Sequence, residues 1–271
     1  MGGHRLVAAP DAGLRYRLPC AIILGVRVRA RGVSVATVGT TRAPGKTGLV
    51  QPALLIVGAA FLFTDLYLIF QYVPTERVMG IVQRLFYFHV PTVWVGFLAF
   101  FIVFVSSIMY LVKRTEVWDR RAYAAGEVGM LFLTVAMVTG AIWAKPVWGV
   151  WWVWDAKLTT TFVLWLIYIG YLMVRAYAPD KRRGARWAAV VGIVGFVDVP
   201  IVYYAAELWR SLHPELVTGP FAESGGLAPE MRTTLYFSAL TFMLVFAYLF
   251  RERTAQRADE QALDELRARV G

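Results

Sequence analysis

Residues 89–112 read HVPTVWVGFLAFFIVFVSSIMYLV, a run of 24 positions without Asp, Glu, Lys or Arg. The hydrocarbon core of a bilayer is about 30 Å thick, and a helix needs about 20 mostly apolar residues to cross it. Lipid offers no partners to unpaired backbone groups, so a membrane-spanning run of this kind must be helical. This stretch therefore predicts a transmembrane helix.

Five further segments, working outward from that run, have the same character. With it they give six predicted transmembrane helices, over residues 52–72, 89–112, 122–144, 158–177, 187–206 and 233–250. The composition agrees, since 58% of the 271 residues are hydrophobic and 17% are charged, against roughly 25% charged in soluble domains. These values exclude a soluble globular protein and predict an all-α polytopic membrane fold.

The net charge of +10 is explained by membrane topology. Lys and Arg number 22 in the N-terminal region, the second-to-third and fourth-to-fifth connections and the C-terminal region, and 6 in the three other connections. In membrane proteins the excess of Lys and Arg lies on the cytoplasmic side. We therefore predict that both termini are cytoplasmic and that the three other connections are external. No basic stripe with interleaved aromatic residues occurs in the sequence, so nucleic acid is not an expected partner.

The chain divides into three predicted regions. Residues 1–49 form a basic N-terminal extension, interpreted as disordered or as the result of a start codon assigned too early. Residues 50–250 form the six-span membrane domain. Residues 251–271 are rich in charge, with Arg257, Glu260 and Asp264 at helical spacings, which predicts a cytoplasmic helix or tail with ion pairs between neighbouring turns.

Three carboxylates lie within the predicted spans, where burial of a charge is costly. Glu127 is interpreted as lying near the cytoplasmic interface, and the two others lie further inside their spans. Asp198 precedes Pro200, which predicts a kink or break in the fifth span and a pairing of Asp198 with the backbone groups that the proline frees. The sequence assigns no role to the other carboxylate, Asp65.

Histidine and cysteine are scarce, with one cysteine (Cys20) and three histidines (His4, His89 and His213). One cysteine excludes an internal disulfide, a CxxC redox pair and a Cys-ligated zinc or iron–sulfur site. Zinc needs three or four ligands, whereas haem iron needs one or two axial ligands and a large apolar cleft. His89 and His213, both on the predicted external side, therefore favour bis-histidine haem binding, although either one could instead be a hydrogen-bonded structural residue.

Residues 148–159, between the third and fourth spans, read WGVWWVWDAKLT. An interfacial aromatic belt explains one or two tryptophans, but here four fall within seven residues: Trp148, Trp151, Trp152 and Trp154. In a helix the first three would share one face and form a flat apolar platform for a large planar ligand. Asp155 is either part of this site or the N-cap of the fourth span, and the two roles are compatible.

Cations on the predicted external side complete the candidate site. Arg84, Lys157 and Arg210 lie there in sequence and could pair with the carboxylates of a bound macrocycle. Arginine makes such a contact in bidentate geometry, which lysine cannot do.

Three of these segments resemble one protein family. The tryptophan-rich stretch 148–159 resembles the WWD motif of haem-handling proteins in cytochrome c biogenesis. Residues 84–94 (RLFYFHVPTVW) and 209–214 (WRSLHP) are similar to the two histidine segments of the haem exporter protein C (CcmC) family. The resemblance covers roughly residues 50–250, with the motifs in the same order. Lys157 stands where the family commonly has Arg, and Leu208 where a Trp is expected.

The resemblance implies a haem-binding transfer protein of the cytoplasmic (inner) membrane, not an enzyme. Haem b would be held on the periplasmic side, with His89 and His213 as axial iron ligands, and passed to a membrane-anchored haem chaperone, cytochrome c maturation protein E. The tryptophans and Asp155 would form the haem platform and the chaperone-docking loop. Apart from membrane lipid, the other implied partners are the subunits of an ABC transporter and a small single-span maturation protein.

Other functions stay open at this point. They are the haem-attachment component of the other bacterial pathway for c-type cytochromes, a b-type electron-transfer cytochrome and a transporter that moves haem across the bilayer. A b-type cytochrome would typically carry its haem ligands within helices and have a second redox centre, for which the chain has too few histidines. Apart from the kink or break predicted at Pro200, the broken helices and midplane polar sites of a transporter are not evident in the sequence.

Overall fold

The computed structural model describes residues 46–209, 211–213 and 227–270. In that part of the chain every regular element is a helix, and six helical segments are long and apolar enough to cross a membrane. The predicted all-α fold with six transmembrane helices is therefore confirmed. The cytoplasmic orientation of the termini and the division into three regions stay predictions, and residues 1–45 of the basic extension lie outside the described residues.

Seven α-helices make up the six spans. They are α1 (Val50–Tyr67), α2 (Phe86–Lys113), α3 (Glu116–Trp148), α4 (Ala156–Tyr177), α5 (Lys181–Phe196), α6 (Asp198–Leu208) and α7 (Pro229–Val270). A π-helical turn, Leu68–Tyr72, continues α1, and a 3-10 helix, Ile81–Leu85, leads into α2.

The ends of α3 show why the spans are longer than the apolar runs. Its first turn contains Glu116 and Asp119, whose negative charges interact favourably with the positive end of the helix dipole. It ends at Trp148, because Gly149 adopts a left-handed conformation (φ 77°) and donates its N–H to the Lys145 carbonyl at 3.0 Å. Helical structure thus extends into interfacial residues at both ends of the span.

The fifth span is broken where its proline predicted. Helix α5 ends at Phe196 and α6 begins at Asp198. Pro200 has no N–H to donate to the carbonyl of Phe196, four residues earlier, so the helical hydrogen bonding is interrupted at that turn. Among the described residues the buried Oδ2 of Asp198 has no hydrogen-bond partner. The expected pairing of this carboxylate with freed backbone groups is therefore not formed.

Asp65, another carboxylate within a span, is fully buried between α1 and α7. The Ser238 hydroxyl donates a hydrogen bond to its Oδ1 at 2.7 Å, while its Oδ2 has no hydrogen-bond partner in the described part of the chain. This polar contact inside the apolar region ties α1 to α7.

Helices α2 and α3 form the centre of the bundle. They approach closely at Gly129, where a Cβ atom would lie 2.9 Å from the Ala99 Cβ and 3.0 Å from the Phe100 ring. Phe100 also stacks on Tyr168 of α4, with ring centroids 3.7 Å apart. Membrane helices associate through close packing at small residues, because lipid is as apolar as their side chains. This packing fixes the register of α3 against α2.

Helix α7 is a single helix of 42 residues, about 63 Å long at 1.5 Å per residue. It continues without a break past the apolar region into the charged residues 251–270. Arg253 pairs with Glu127 at 2.5 Å, and Lys181 pairs with Asp264 at 2.5 Å, which holds the charged half against α3 and α5. The segment predicted as a cytoplasmic helix or tail is thus a continuation of the sixth span.

Candidate functional site

A cavity of about 410 Å³, called here the histidine cavity, lies at the end of the bundle that carries residues 73–80, 149–155 and 211–213. Its wall is mostly apolar and comes from α2, α3, α4, α6 and α7 together with the adjoining loops. The wall includes two histidines, one lysine and four tryptophans: His89, His213, Lys157, Trp94, Trp143, Trp148 and Trp152. A large apolar cavity with a few polar groups is the usual form of a small-molecule site.

His89 is held by the backbone of α3. Its Nδ1 lies 2.9 Å from the carbonyl oxygen of Ala136 and 3.2 Å from the hydroxyl of Thr139. A carbonyl oxygen can only accept a hydrogen bond, so Nδ1 carries the ring proton and is the donor. The free lone pair is then on Nε2. Metal-ligating histidines typically have this arrangement, because the bond from the second nitrogen fixes the ring. Gly140 makes room for that ring, since a Cβ atom there would lie 2.9 Å from His89 Cε1.

His213 lies beside His89 in the cavity wall, with ring centroids 6.5 Å apart and ring planes at 40°. One metal bound by both rings would place the centroids about 6 Å apart, because each metal–nitrogen bond is about 2 Å long and each nitrogen lies about 1 Å from its ring centre. Trp143 contacts His89 edge-on at 5.9 Å, and Trp148 contacts His213 edge-on at 6.5 Å. The fold thus brings the two histidines together, and among the described residues no larger His, Cys, Asp and Glu cluster could hold a metal.

Residues 149–155 of the tryptophan-rich segment are not helical, because Gly149 ends α3. The condition under which Trp148, Trp151 and Trp152 would share one helical face is therefore not met. Trp148 and Trp152 line the histidine cavity. Trp151 and Trp154 lie outside its described wall and are 58% and 72% exposed. The segment thus divides its tryptophans between the cavity and the surface.

Asp155 joins the tryptophan-rich segment to the segment that carries His213. Its Oδ1 accepts a hydrogen bond from the Leu158 N–H at 2.8 Å, so Asp155 is the N-cap of α4. Its Oδ2 accepts from the Ser211 hydroxyl and from the Leu212 N–H, the latter at 3.2 Å. The His213 N–H in turn donates to Ser211 Oγ at 3.0 Å. One carboxylate therefore caps a helix and also holds the backbone beside His213.

The three cations predicted for the site differ in position. Lys157 lines the histidine cavity, and its ammonium lies 3.4 Å from the Tyr203 carbonyl oxygen. Arg84 lies outside the described wall, with its guanidinium 5.7 Å from the Phe70 ring centroid and its buried Nε without a hydrogen-bond partner among the described residues. Arg210 lies outside the described residues. Of the two described cations, Lys157 is the one that the fold places in the cavity wall.

Trp143 and Gly140 belong to the site but were not predicted from the sequence. Ala136, Thr139, Gly140 and Trp143 follow the i, i+3, i+4, i+7 spacing of one helix face, and His89 contacts that face. Within an apolar span the same spacing is typical of ordinary core packing. A search for the α3 surface that packs against the first turn of α2 would have found these residues.

Comparison with known proteins identifies the family. The profile of the family described as Heme exporter protein C matches residues 38–269. The chain belongs to the heme exporter protein C family. The resemblance carried by the two histidine segments and the tryptophan-rich segment is therefore confirmed at the level of the family.

Similar members of the heme exporter protein C family cover most of the chain. Heme exporter protein C of Escherichia coli (strain K12) is 32% identical over 180 residues, which cover 66% of this chain and 72% of that protein. The protein of the same name from Paracoccus denitrificans (strain Pd 1222) is 29% identical over 223 residues, 82% of this chain and 92% of that one. A ccmC-like mitochondrial protein of Marchantia polymorpha, whose name assigns it to cytochrome c biosynthesis, is 27% identical over 203 residues, 74% and 86% of the two chains.

Proposed function

We propose that this member of the heme exporter protein C family binds haem b at the external, periplasmic face of the cytoplasmic (inner) membrane. It then delivers the haem to a membrane-anchored haem chaperone, cytochrome c maturation protein E. The protein acts by transferring a ligand and does not make or break covalent bonds. The observation that carries this proposal is the His89–His213 pair, with ring centroids 6.5 Å apart in the wall of a mostly apolar cavity.

Three features of the histidine cavity fit haem as the cargo. Two imidazoles suffice as protein ligands, because the porphyrin fills the remaining positions of the iron. The aromatic and aliphatic wall suits the flat apolar macrocycle. The Nε1–H groups of Trp143 and Trp152 are buried with no hydrogen-bond partner among the described residues, and Lys157 lies in the same wall. Acceptors on the cargo, such as the propionate carboxylates, would satisfy such donors.

In this proposal the two histidines hold the iron and the tryptophans cover the macrocycle. His89 offers Nε2, because its Nδ1 proton is bound by the Ala136 carbonyl. His213 is kept in place through Ser211 and Asp155. Trp148 and Trp152 supply the apolar surface, and Lys157 supplies positive charge for a propionate.

The exposed tryptophans of the same segment would receive the chaperone. Trp151 and Trp154 lie beside cavity-lining Trp152, and the ring centroids of Trp152 and Trp154 are 5.7 Å apart. Exposed aromatic residues are enriched where proteins bind one another. A chaperone docked on them would therefore lie next to the bound haem. The subunits of an ABC transporter and a small single-span maturation protein complete the proposed set of partners.

Haem titration and transfer to the purified chaperone test the proposal together. The wild-type protein should bind haem with a six-coordinate spectrum and load the chaperone. Trp154→Ala should keep that spectrum but load the chaperone at least about fivefold more slowly, since a truncated interface anchor costs about 1 kcal/mol or more. Tyr177→Ala is the control, because Tyr177 is 78% exposed and is the last residue of α4, at the opposite end of the bundle.

The outcomes separate the two parts of the proposal. Failure of the wild-type protein to bind haem would overturn the haem site and everything built on it. Haem that binds but never reaches the chaperone would overturn delivery alone. Covalent attachment of haem to an apocytochrome by this chain would instead favour the haem-attachment function.

A further inference from the structure

A second cavity, of about 350 Å³, lies at the end of the bundle opposite the histidine cavity and is called here the arginine cavity. It is formed where α2 ends and α5 begins. Its described lining consists of three arginines, one tryptophan and two aliphatic residues: Arg114, Arg183, Arg186, Trp187, Leu111 and Val190. The ligand of such a cavity should combine an anionic group with an apolar part.

The positive charge of the arginine cavity is only partly neutralised by the protein. Arg183 has the Asp180 carboxylate at 3.5 Å. Arg114 and Arg186 have no ion-pair partner in the described part of the chain. Arg114 also has a left-handed backbone (φ 56°), a conformation that is strained for a residue with a Cβ atom. The turn that places this arginine beside α5 is thus formed at a conformational cost.

The arginine cavity lies at the ends of two spans, where lipid headgroups are expected. Lys113 is the last residue of α2 and Lys181 the first of α5, so the charged rim marks the ends of two spans. Trp187 is largely exposed one turn further into α5, and tryptophan is enriched at the interface between headgroups and hydrocarbon. Val190, another turn along, is also exposed and continues the wall toward the apolar region.

We propose that the arginine cavity binds an anionic phospholipid from the leaflet on this side of the membrane. The arginines would contact the phosphate, because the planar guanidinium matches phosphate oxygens in two-point geometry. The acyl chains would run along Leu111 and Val190, and the Trp187 ring would lie beside the glycerol region. A soluble anion would contact the arginines but not this apolar wall. Lys and Arg counts predict that this side is cytoplasmic, where basic pockets between transmembrane helices bind anionic headgroups.

The full-length protein in nanodiscs of phosphatidylcholine with a minor fraction of phosphatidylglycerol provides the test. Native mass spectrometry then measures which lipids stay bound after release into detergent. The wild-type protein should retain phosphatidylglycerol in preference to phosphatidylcholine. Arg186→Gln should weaken this retention about fivefold, the effect of one basic residue at a membrane surface. Arg182→Gln is the matched control, because it removes the same charge from an exposed position four residues earlier in α5, outside the described lining.

Four outcomes would overturn the lipid site. An equal loss of retention in Arg182→Gln would indicate diffuse surface charge. Displacement of the lipid by inorganic phosphate would indicate a site for a soluble anion. The two others are equal retention of phosphatidylcholine and the absence of retained lipid in the wild-type protein. Arg186→Lys keeps the charge and provides a second variant in case Arg186→Gln does not fold. It should bind phosphatidylglycerol more weakly than wild type, because lysine makes no two-point contact with phosphate, and wild-type affinity in this variant would contradict the proposed contact.

Discussion

The two histidines of the cavity are held in different ways. His89 lies in the first turn of α2 and donates its ring N–H to a backbone carbonyl of α3, the helix packed most closely against it. His213 lies between α6 and α7, and its backbone is held by the side chains of Ser211 and Asp155. Side-chain bonds break and re-form by rotation, whereas a helix carbonyl cannot turn away. One histidine is therefore part of the bundle, and the other depends on a loop.

This difference suits the proposed function, in which the site releases its cargo to a chaperone. Local opening is easiest where backbone is exposed and few apolar contacts hold it. The His213 segment can move away from the bound haem while the His89 side of the cavity keeps its shape. The changes below test this difference, from the strongest expected effect to the weakest.

Removal of each histidine should have unequal results. His89→Ala should weaken haem binding by more than about 100-fold, because even loss of a supporting contact to a metal ligand costs up to that much. His213→Ala should leave five-coordinate haem on His89. Optical spectra and haem titration measure both effects. Equal residual binding with the same coordination in the two variants would show that neither histidine is the fixed ligand.

Gly140→Ala should displace the His89 ring while the histidine itself is unchanged. The added Cβ would lie 2.9 Å from Cε1 and 3.4 Å from Nδ1, so the ring must move, and haem affinity should fall by about 10- to 100-fold. Gly170→Ala in α4 is the control, because a Cβ there has no neighbour within 4 Å. The control should leave the haem spectrum unchanged and stabilise the helix by up to about 1 kcal/mol. Unchanged haem affinity in Gly140→Ala would mean that His89 is not held tightly against α3.

Asp155→Asn should separate the two roles of Asp155. Asparagine caps helices as well as aspartate does, so the contribution of the helix cap to the free energy of unfolding should stay the same. Its amide group cannot accept the bonds from Ser211 and Leu212 in place of Oδ2, so the His213 coordination signal should weaken, with about tenfold lower haem affinity at most.

Asp180→Ala is the control for the cap itself. Asp180 caps α5 at the opposite end, where it accepts from the Arg182 N–H at 2.9 Å. This variant should lose about 1 kcal/mol of stability and keep the haem spectrum. If Asp155→Asn left the His213 signal intact, the dependence of His213 on this carboxylate would be disproved.

Lys157→Gln should have the smallest effect. Removal of one partly exposed cation from the cavity wall should weaken haem binding by no more than about fivefold, and less at high salt, because exposed charge pairs contribute about 1 kcal/mol or less. Lys157→Arg should match or exceed the wild-type affinity, since arginine can bind a carboxylate at two points. Haem titration at two ionic strengths measures both. A larger loss than in Gly140→Ala would show that charge, not histidine geometry, governs affinity.

The spans were predictable because lipid imposes one simple requirement, a long apolar helix. All six were found, and the break in the fifth followed from Pro200. The ends of the spans were not predictable, because helices α3 and α7 continue through interfacial and charged residues. A search for apolar runs leaves such residues out. The sequence alone also could not show that Arg253 and Asp264 hold the charged half of α7 against the bundle.

The site was predictable where its residues are unusual for a membrane protein. The two external histidines and the tryptophan cluster stood out, and the fold places His89, His213, Trp148 and Trp152 in one wall. Gly140 was not predicted, because a glycine inside an apolar span is ordinary. Its role depends on how closely α2, which carries His89, approaches α3. The helical arrangement of the tryptophans is not formed, because Gly149 takes a left-handed conformation that ends α3 at Trp148.

Helix α7 gives the two ends of the protein a mechanical connection. Met231, in its first turn, is part of the wall of the histidine cavity, and Asp264, about 50 Å along the same helix, is paired with α5 at the far end. The helix has no proline or break between them, so one uninterrupted helix connects the two ends. A partner that binds the charged end of α7 therefore contacts the same helix that forms part of the wall of the histidine cavity.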